Sequence, residues 1–542
     1  MNQNWIYTTT IYQIYPRSFF DSNNDGIGDI QGIIKKLDYI KDLGFETIWI
    51  SPFYTSPQVD FGYDIADYTN IAPEYGTLED AQQLIDECHK RKLKIVFDMV
   101  MNHTSDQHPW FLESRKDKTN PKADWYIWRD KPNNWKSIVG PKAWKYAPER
   151  KQYFYSSFLN FQPDLNYRNE EVKKTMFDIC RFWLAKGVDG FRLDIFNCII
   201  KDKDFRDNPF SLIRAIPSHD YPGGNFQIRK YNVNQAGNFE FAKELRQVSD
   251  EFTPERMLLG EVFGLHSLKK QFLGKNNGLH LIFLFDICFY KFNASFFRKK
   301  FLEYEREYPA PLKPTLVFSN HDQFRSIRRV GNNPEKAKLV TLLQLTARAV
   351  PTSYYGEEIG MVNQKIPLKN AQDGMSKTFK WIPQIIVDAL PVPINRDNCR
   401  TPMQWDKTKN AGFSTADTTW LPVHEDFETC NVETIQQDKN SIYYTYKNLL
   451  AIRKNSNSLQ NGNLEIVDVN NDNILAYTRT KDTESLLILI NFKHKKQTFS
   501  IPKNIEITEF IYGIKSKDFK QAELFGIDAV LLKCSIKQHQ NK

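Results

Sequence analysis

The seven cysteines of this 542-residue chain are scattered, with no CxxC pair and no even framework. This distribution excludes a small secreted scaffold held by disulfides. No apolar run approaches the ~20 residues of a membrane-spanning helix. The amino terminus, "MNQNWIYTTT", lacks both the basic and the apolar segment of a signal peptide. We therefore expect reduced thiols, a cytoplasmic location and no membrane partner.

Positive charge is in slight excess but is not concentrated in any segment. The net charge is +8, with 73 Lys and Arg residues interleaved among 65 Asp and Glu residues. The longest basic cluster is the short "KHKK" at 493–496. Together with the lack of helix-turn-helix, zinc-finger and RNP-type patterns, this argues against a nucleic-acid partner.

Apolar residues, by contrast, are plentiful. They make up 41% of the chain, and aromatic residues make up 14%, which is enough for a large core and argues against disorder. The length predicts two or three domains, one of which could be a large barrel.

Short β-branched or aromatic runs recur between residues 10 and 358, and helix-period segments separate several of them. In 29–44 the apolar residues fall at spacings of three and four, and Gly44 closes the helix. Thr77 and Asp80 form a capping-box-like start, and Asn169 is placed as an N-cap. Strand–helix alternation implies parallel strands with crossover helices. Eight candidate strands favour an α/β fold of the closed (β/α)8 type, with strands in 10–20, 45–53, 93–103, 188–196, 256–264, 279–287, 315–322 and 349–358.

Polar residues stand at the ends of four of these runs. They are Asp98, Asn102 and His103 in the third run, Arg192 and Asp194 in the fourth, Glu261 in the fifth, and Asn320, His321 and Asp322 in the seventh. Side chains at the carboxyl ends of barrel strands converge on one face, where such enzymes hold their active sites. Three acids with a matched arginine fit the paired-carboxylate chemistry of glycoside cleavage.

The two best-placed carboxylates are expected to differ in protonation. Arg192 and Asp194 are two residues apart on a strand and therefore point to the same side, so the guanidinium should hold Asp194 ionised, as a nucleophile requires. Glu261 lies in the apolar stretch "LLGEVF", where desolvation should raise its pKa and retain a proton for donation.

The motifs "DMVMNH", "GFRLDIF", "GEVF" and "FSNHD" resemble the four conserved regions of the α-amylase family, glycoside hydrolase family 13. "QPDLN" (162–166) and "CRTPMQWD" (399–406) are similar to its oligo-1,6-glucosidase and α-glucosidase branch. The resemblance implies a (β/α)8 barrel in 1–103 and 169–460, and a domain B in 104–168, inserted after the third strand. It also implies a C-terminal antiparallel β-sandwich domain in 461–542.

The resemblance also implies residue roles. Asp194 corresponds to the nucleophile, Glu261 to the general acid/base, and Asp322 to the third acid that stabilises the transition state. His103, Arg192 and His321 are implied to surround the first glucosyl unit. Asp60 and Tyr63 are implied to bind and stack on it, with Arg400 pairing Asp60 to close the pocket. A closed pocket implies exo-action on a small oligosaccharide or disaccharide.

The stretch "DSNNDGIGD" (21–29) reads like the start of a calcium-binding EF-hand loop, with Gly26 at the sharp turn. Its twelfth position holds Gly32 in place of the usual glutamate. The family resemblance implies calcium nevertheless, because the side chain at position nine can coordinate directly. The implied ligands are the side chains of Asp21, Asn23, Asp25 and Asp29 and the Ile27 carbonyl.

Specificity is left open by the sequence. Ile195, after the nucleophile, is neither the valine common in α-1,6-cleaving members nor the alanine or threonine of α-1,4 maltases. Segment 201–227 is longer than the plain oligo-1,6-glucosidase pattern, and Phe324 replaces a usual proline. The alternatives are a transglucosidase or sucrose isomerase, and a phospho-disaccharide hydrolase of the trehalose-6-phosphate type using Arg328 and Arg329. A non-enzymatic alternative is an ancillary subunit like the transporter heavy chains, which the retained catalytic acids disfavour.

Overall fold

The computed structural model describes residues 4–140, 142–214, 224–390 and 393–537. Eight parallel strands form the central sheet in the spatial order 6-5-4-3-2-1-8-7. A parallel bridge between Phe283 and Thr315 joins the sixth strand region to the seventh and closes the barrel. The barrel strands, numbered first to eighth, are Ile11–Ile14, Thr47–Ile50, Lys94–Met99, Gly190–Leu193, Met257–Gly260, Leu281–Ile282, Thr315–Val317 and Val350–Tyr354.

Each of these strands lies within one of the eight predicted runs, so the predicted barrel is confirmed. The strands are short because the polar ends of the runs leave the sheet and form the loops above it. The barrel interior is filled by apolar side chains such as Trp49, Val96, Leu259 and Val317.

Helices surround the barrel and connect its strands. Gly44 closes the helix before the second strand at φ +109, in the left-handed region that favours glycine. Thr77 and Asp80 form the predicted capping box, and Asn169 caps its helix as predicted. The α-helices are Trp5–Thr8, Ile30–Lys35, Leu37–Leu43, Leu78–Lys90, Pro109–Ser114, Glu170–Ala185, Ala236–Asp250, His266–Leu273, Ala294–Glu307, Pro334–Thr346, Gly374–Thr378, Gln384–Ala389, Val432–Ile435, Ile442–Lys454 and Asn457–Asn461.

A small antiparallel sheet lies between the third barrel strand and the helix Glu170–Ala185. Its strands are ordered Trp128–Arg129, Gln152–Tyr155 and Trp144–Ala147. Aromatic side chains form its core, with the Phe111 and Trp128 rings stacked 5.6 Å apart. The segment after the fourth strand packs against this lobe, where Gln227 Nε2 donates to the Asn134 carbonyl at 2.6 Å. A further strand pair, Tyr54–Thr55 with Asp67–Ile71, follows the second barrel strand.

The carboxyl-terminal region forms a separate antiparallel sheet, as predicted. Its five strands are ordered Asn463–Ile466, Ile474–Lys481, Glu484–Asn491, Asp528–Ile536 and Ile505–Gly513. The pair Gln497–Thr498 and Glu523–Leu524 forms a second, two-stranded sheet, and Leu524 packs into the apolar cluster on the larger one. The strand Ile505–Gly513 was not predicted, because two register shifts interrupt its period-2 pattern and much of it is exposed.

Candidate active site

Arg192 stands at the centre of the cluster formed by the ends of the third, fourth and fifth barrel strands. It is fully buried and lies directly across from Asp98 in the parallel pairing of the third and fourth strands. Its Nη1 lies 2.8 Å from Asp98 Oδ1 and 2.8 Å from Asp194 Oδ1. Its Nη2 contacts Glu261 Oε2. One guanidinium therefore connects both predicted catalytic carboxylates.

Backbone hydrogen bonds between neighbouring strands fix these two carboxylates. The Asp194 N–H donates to the Met99 carbonyl at 3.1 Å, and the Glu261 N–H donates to the Leu193 carbonyl at 2.9 Å. The chain turns sharply just after Asp194, where Ile195 adopts φ +36, an uncommon conformation for a β-branched residue. Ile195 is held there by an apolar cluster whose other members are Cys198, Val233, Ile138, Phe158 and Phe263.

Burial dominates the protonation of both groups. It raises the pKa of Glu261 to about 8, as predicted, so this carboxyl retains a proton at neutral pH. It also raises the pKa of Asp194 to about 7, although Arg192 acts in the opposite direction. Our expectation that Arg192 holds Asp194 ionised was therefore wrong, because burial outweighs the guanidinium. The hydrogen bond between the two carboxyls raises the pKa of Glu261 and lowers that of Asp194, which favours Glu261 as the protonated partner.

Asp322 occupies a different electrostatic environment. Its Oδ1 lies 3.0 Å from Arg396 Nη1 and 2.8 Å from Arg400 Nη2, and its Oδ2 lies 3.0 Å from His321 Nε2. Burial opposes its charge, but these partners together hold the pKa of Asp322 well below its usual value. Asp322 is thus an ionised carboxylate beside two carboxyls that titrate near neutrality.

Two buried histidines and Tyr63 line the same pocket. The Tyr63 and His321 rings are stacked with centroids 5.3 Å apart, and Tyr63 Oη lies 2.6 Å from His321 Nε2. His103 Nε2 lies 3.2 Å from the Tyr63 carbonyl oxygen. Burial lowers the pKa of each histidine to about 4, so both imidazoles are neutral at physiological pH. The structure therefore brings together the strand-end residues predicted from sequence.

The predicted pairing of Asp60 with Arg400 is wrong. Arg396 contacts Asp60 Oδ1 instead, while Arg400 Nε donates to the His321 carbonyl at 2.8 Å and Nη2 binds Asp322. Arg396 is held in place by Asp373, which accepts hydrogen bonds from its Nε at 3.1 Å and its Nη2 at 2.6 Å. Asp60 forms a salt bridge as expected, but with the arginine one helical turn earlier.

Sequence reasoning missed three residues of this pocket. They are Arg396, Asp373 and Gln162, whose Nε2 donates to Asp60 Oδ2 at 2.9 Å. Gln162 opens the quoted motif "QPDLN", and Arg396 precedes Arg400 by four residues in a short helical turn, so both signals were present. Asp373 had no such signal, because its role depends on how a long loop folds back onto the barrel.

Aromatic and cationic side chains line the loops that follow the catalytic strands. The Arg328 guanidinium lies 3.6 Å above the Phe324 ring, and Arg329 lies 5.4 Å above Phe289. The Phe263 and Phe285 rings are stacked 5.8 Å apart. Part of the long segment 201–227, residues 215–223, lies outside the described residues.

The predicted calcium loop is closed by its own hydrogen bonds. Asp21 accepts from the backbone N–H groups of residues 23, 24 and 26, and Asp25 accepts from that of residue 27. Asp29 accepts from the N–H groups of residues 22 and 32 and so caps the following helix. The all-oxygen donor set suits a hard cation. However, the described acid and histidine clusters compact enough to share one ion do not include this loop. Calcium binding therefore stays a prediction.

Chelation tests that prediction. If the loop binds calcium, EDTA should lower the melting temperature. An ion that binds only the native state and is present at a hundredfold excess over its Kd adds about 2.7 kcal/mol to the free energy of unfolding. Asp25 is exposed, and removing its carboxylate in Asp25→Ala should abolish the response to EDTA. Asp417→Ala, another exposed carboxylate, serves as the matched control. If EDTA leaves the melting temperature unchanged and elemental analysis finds no calcium, the loop is a turn that binds no metal.

A closed parallel barrel with paired carboxylates at the carboxyl ends of its strands is the arrangement of a glycoside hydrolase. Residues 13–462 match the model of the α-amylase catalytic domain, and residues 464–524 match that of the maltogenic amylase C-terminal domain. The chain belongs to the α-amylase family, glycoside hydrolase family 13.

Relatives with assigned activities cover nearly the whole chain. An oligo-1,6-glucosidase of Parageobacillus thermoglucosidasius is 36% identical over 96% of this chain and 96% of its own length. An α-glucosidase of Apis mellifera is 37% identical over 93% of this chain and 90% of its own length. The protein is therefore a glycoside hydrolase related to the α-glucosidases.

Solved structures with the same fold include enzymes that transfer or rearrange sugars. The α-glucosyl transfer enzyme XgtA superposes with a TM-score of 0.90 at 34% identity, covering 98% of this chain and all of that one. The isomaltulose synthase of Klebsiella sp. LX3 superposes with a TM-score of 0.90 at 31% identity, with the same coverage. Within the described part of the chain, no helix combines the length and apolarity needed to cross a membrane.

Proposed function

We propose that this protein is a retaining, exo-acting α-glucosidase that removes terminal glucose from short oligosaccharides or disaccharides. The observation that carries the proposal is the single Arg192 guanidinium joining Asp194 and Glu261. The two carboxyls also lie within hydrogen-bonding reach of each other, which leaves no room for a water between one of them and the sugar and supports a retaining mechanism.

In the first step, Glu261 donates its proton to the glycosidic oxygen while Asp194 attacks the anomeric carbon. The bond to the leaving group breaks and a covalent glucosyl ester forms on Asp194. In the second step, the deprotonated Glu261 accepts a proton from water, whose oxygen displaces Asp194. Glucose is released and both carboxyls return to their starting states.

The surrounding residues are assigned roles by their chemistry. Asp322 is an ionised acceptor, suited to bind sugar hydroxyls and to stabilise positive charge on the oxocarbenium-like ring. Tyr63 offers a ring face to the sugar. His103 and His321 are neutral and buried beside it, and Arg192 orients the two reacting carboxyls.

Exo-action follows from the closed end of the pocket. Arg396 connects Asp60, Asp322 and Asp373, so a salt-bridge network lies where a longer chain would have to continue. Such a network would stop a sugar chain from extending beyond the terminal glucosyl unit. Gln162 and Arg396 each contact one of the two Asp60 oxygens, so Asp60 can accept from a sugar hydroxyl only through a remaining lone pair of these oxygens.

A hydrolysis panel with a free-glucose readout tests this function. Isomaltose, maltose and trehalose present α-1,6, α-1,4 and α,α-1,1 bonds to the same glucosyl pocket. We expect isomaltose and short α-1,6 oligosaccharides to be cleaved, because the bulky, β-branched Ile195 is closer to valine than to alanine or threonine. If none of the three disaccharides releases glucose, the proposal is contradicted.

A second candidate function is sugar isomerisation or transfer through the same glucosyl-enzyme. It is favoured by the structural similarity to isomaltulose and trehalulose synthases and by the aromatic side chains beside the catalytic loops. Sucrose distinguishes the two, since hydrolysis yields free glucose and fructose while isomerisation yields a new disaccharide. Trehalose 6-phosphate in the same panel tests whether Arg328 and Arg329 favour a phosphorylated substrate.

A further inference from the structure

Both ring nitrogens of His321 are engaged in the buried pocket. Nδ1 lies 2.7 Å from Gln13 Nε2 on the first barrel strand. Nε2 lies 2.6 Å from Tyr63 Oη and 3.0 Å from Asp322 Oδ2. The histidine therefore connects an amide on one side with a catalytic carboxylate on the other.

The partners on the Nε2 side decide where the imidazole proton lies. Asp322 is ionised and can only accept hydrogen bonds. Tyr63 donates its own proton to Asp98 Oδ2 at 3.2 Å, which leaves its oxygen free to accept from His321. Because both neighbours can accept, they favour the neutral imidazole that carries its proton on Nε2. Nδ1 then carries a lone pair that needs a hydrogen-bond donor.

Gln13 supplies that donor. Its side chain is fully buried, and its Nε2 also donates to Ser51 Oγ at 3.2 Å. Its Oε1 has no hydrogen-bond partner among the described residues. Leaving a buried carbonyl unsatisfied costs free energy, so the interactions of this side chain come from its NH2 group.

We propose that Gln13 is a positioning residue that fixes the Nε2–H tautomer of His321, and thereby the hydrogen-bond donor that holds Asp322 in the glucosyl pocket. Gln13 itself contacts neither of the reacting carboxyls. It acts through His321. In the Nδ1–H tautomer the imidazole proton would face the N–H group of Gln13, which disfavours that tautomer. The inference rests on the proposed role of Asp322, but the tautomer is observable without any activity.

The charged groups around His321 make the tautomer important. Asp322 lies on one side, and Arg400 and Arg192 lie close enough to disfavour an additional positive charge. In the Nδ1–H tautomer a lone pair would face the Asp322 carboxylate, which repels it. An imidazolium would instead neutralise part of the Asp322 charge that the transition state needs.

Nitrogen-15 NMR of histidine-labelled wild-type enzyme tests the tautomer directly. The His321 resonances, assigned by their loss in His321→Asn, should show a protonated Nε2 and an unprotonated Nδ1 at neutral pH. A protonated Nδ1, in either the neutral ring or the imidazolium, overturns the proposal whatever the substrate turns out to be.

Two variants of matched size separate positioning from space filling. Gln13→Glu keeps the shape but places a carboxylate against Nδ1, which should protonate both ring nitrogens and lower kcat/KM about 10- to 100-fold. Gln13→Met removes the donor that opposes a proton on Nδ1, so a protonated Nδ1 should appear in part of the His321 signal, with a smaller loss of kcat/KM than in Gln13→Glu. An unchanged NMR pattern in Gln13→Met would show that Asp322 alone sets the tautomer and would contradict the proposal. Equal losses in the two variants, without an imidazolium signal in Gln13→Glu, contradict the proposal. Melting temperatures confirm that both variants fold.

Discussion

Asp194→Asn should lower kcat by at least about 10⁴-fold while leaving the fold intact, because an amide cannot form the glucosyl ester. The substitution keeps the size of the side chain and its place after the fourth barrel strand. Arg192 loses one of three carboxylate partners but retains Asp98 and Glu261. Melting temperature and substrate-binding measurements should therefore change little while turnover on isomaltose or maltose is lost.

A chemical rescue makes this prediction specific for the nucleophile. In Asp194→Gly, azide can enter the space that the carboxylate vacates and attack the anomeric carbon from that side. Displacement with a single inversion should yield β-glucosyl azide from an α-glucoside. If Asp194→Asn keeps near-normal activity, or azide produces no glucosyl azide in Asp194→Gly, another group is the nucleophile.

Glu261→Gln should lower kcat/KM about 10²- to 10⁴-fold on disaccharides, because no proton is delivered to the departing sugar oxygen. On a nitrophenyl α-glucoside the loss in the first step should be much smaller, since the phenolate leaves without protonation. The glucosyl-enzyme should then accumulate, because no base activates water. Azide, which needs no deprotonation, should speed turnover and give α-glucosyl azide. A uniform loss on both kinds of substrate contradicts the general-acid role.

The pH profile gives a second signature of the same residue. Glu261 must be protonated in the free enzyme, so kcat/KM should fall as the pH rises through about 8. Asp194 must be ionised, so kcat/KM should also fall as the pH drops through about 7. Burial sets both values by disfavouring the charged forms. The alkaline limb should disappear in Glu261→Gln measured on the nitrophenyl substrate, whereas the acid limb should remain.

The fold followed from local sequence patterns that packing did not override. Eight β-branched runs separated by capped helices leave few alternatives to a closed barrel, and Gly44, Thr77 and Asn169 begin or end helices where their chemistry predicts. The strand Ile505–Gly513 escaped notice because its bulges and exposed residues break the alternation that identifies a strand.

The candidate site was predictable where it depends on strand ends and motifs, and less so where it depends on loops. Asp98, Arg192 and Glu261 meet because adjacent parallel strands end at the same edge. Arg396 lies four residues before the motif arginine Arg400, but its contact with Asp60 depends on the path of a long loop after the eighth strand. The Asp194 pKa was misjudged because desolvation by the whole pocket outweighs one neighbouring arginine.

Net retention of anomeric configuration is the central claim, since it rests on two carboxyls that share one guanidinium and lie within hydrogen-bonding reach of each other. A retaining pair is separated by about 5–5.5 Å and attacks carbon directly, whereas an inverting pair stands about 6.5–9.5 Å apart and admits a water. Proton NMR of isomaltose or maltose hydrolysis in the first minutes, before mutarotation, identifies the anomer released from the glucosyl pocket. The proposed mechanism predicts α-glucose. Initial β-glucose would show that water attacks directly and that Asp194 is not a nucleophile.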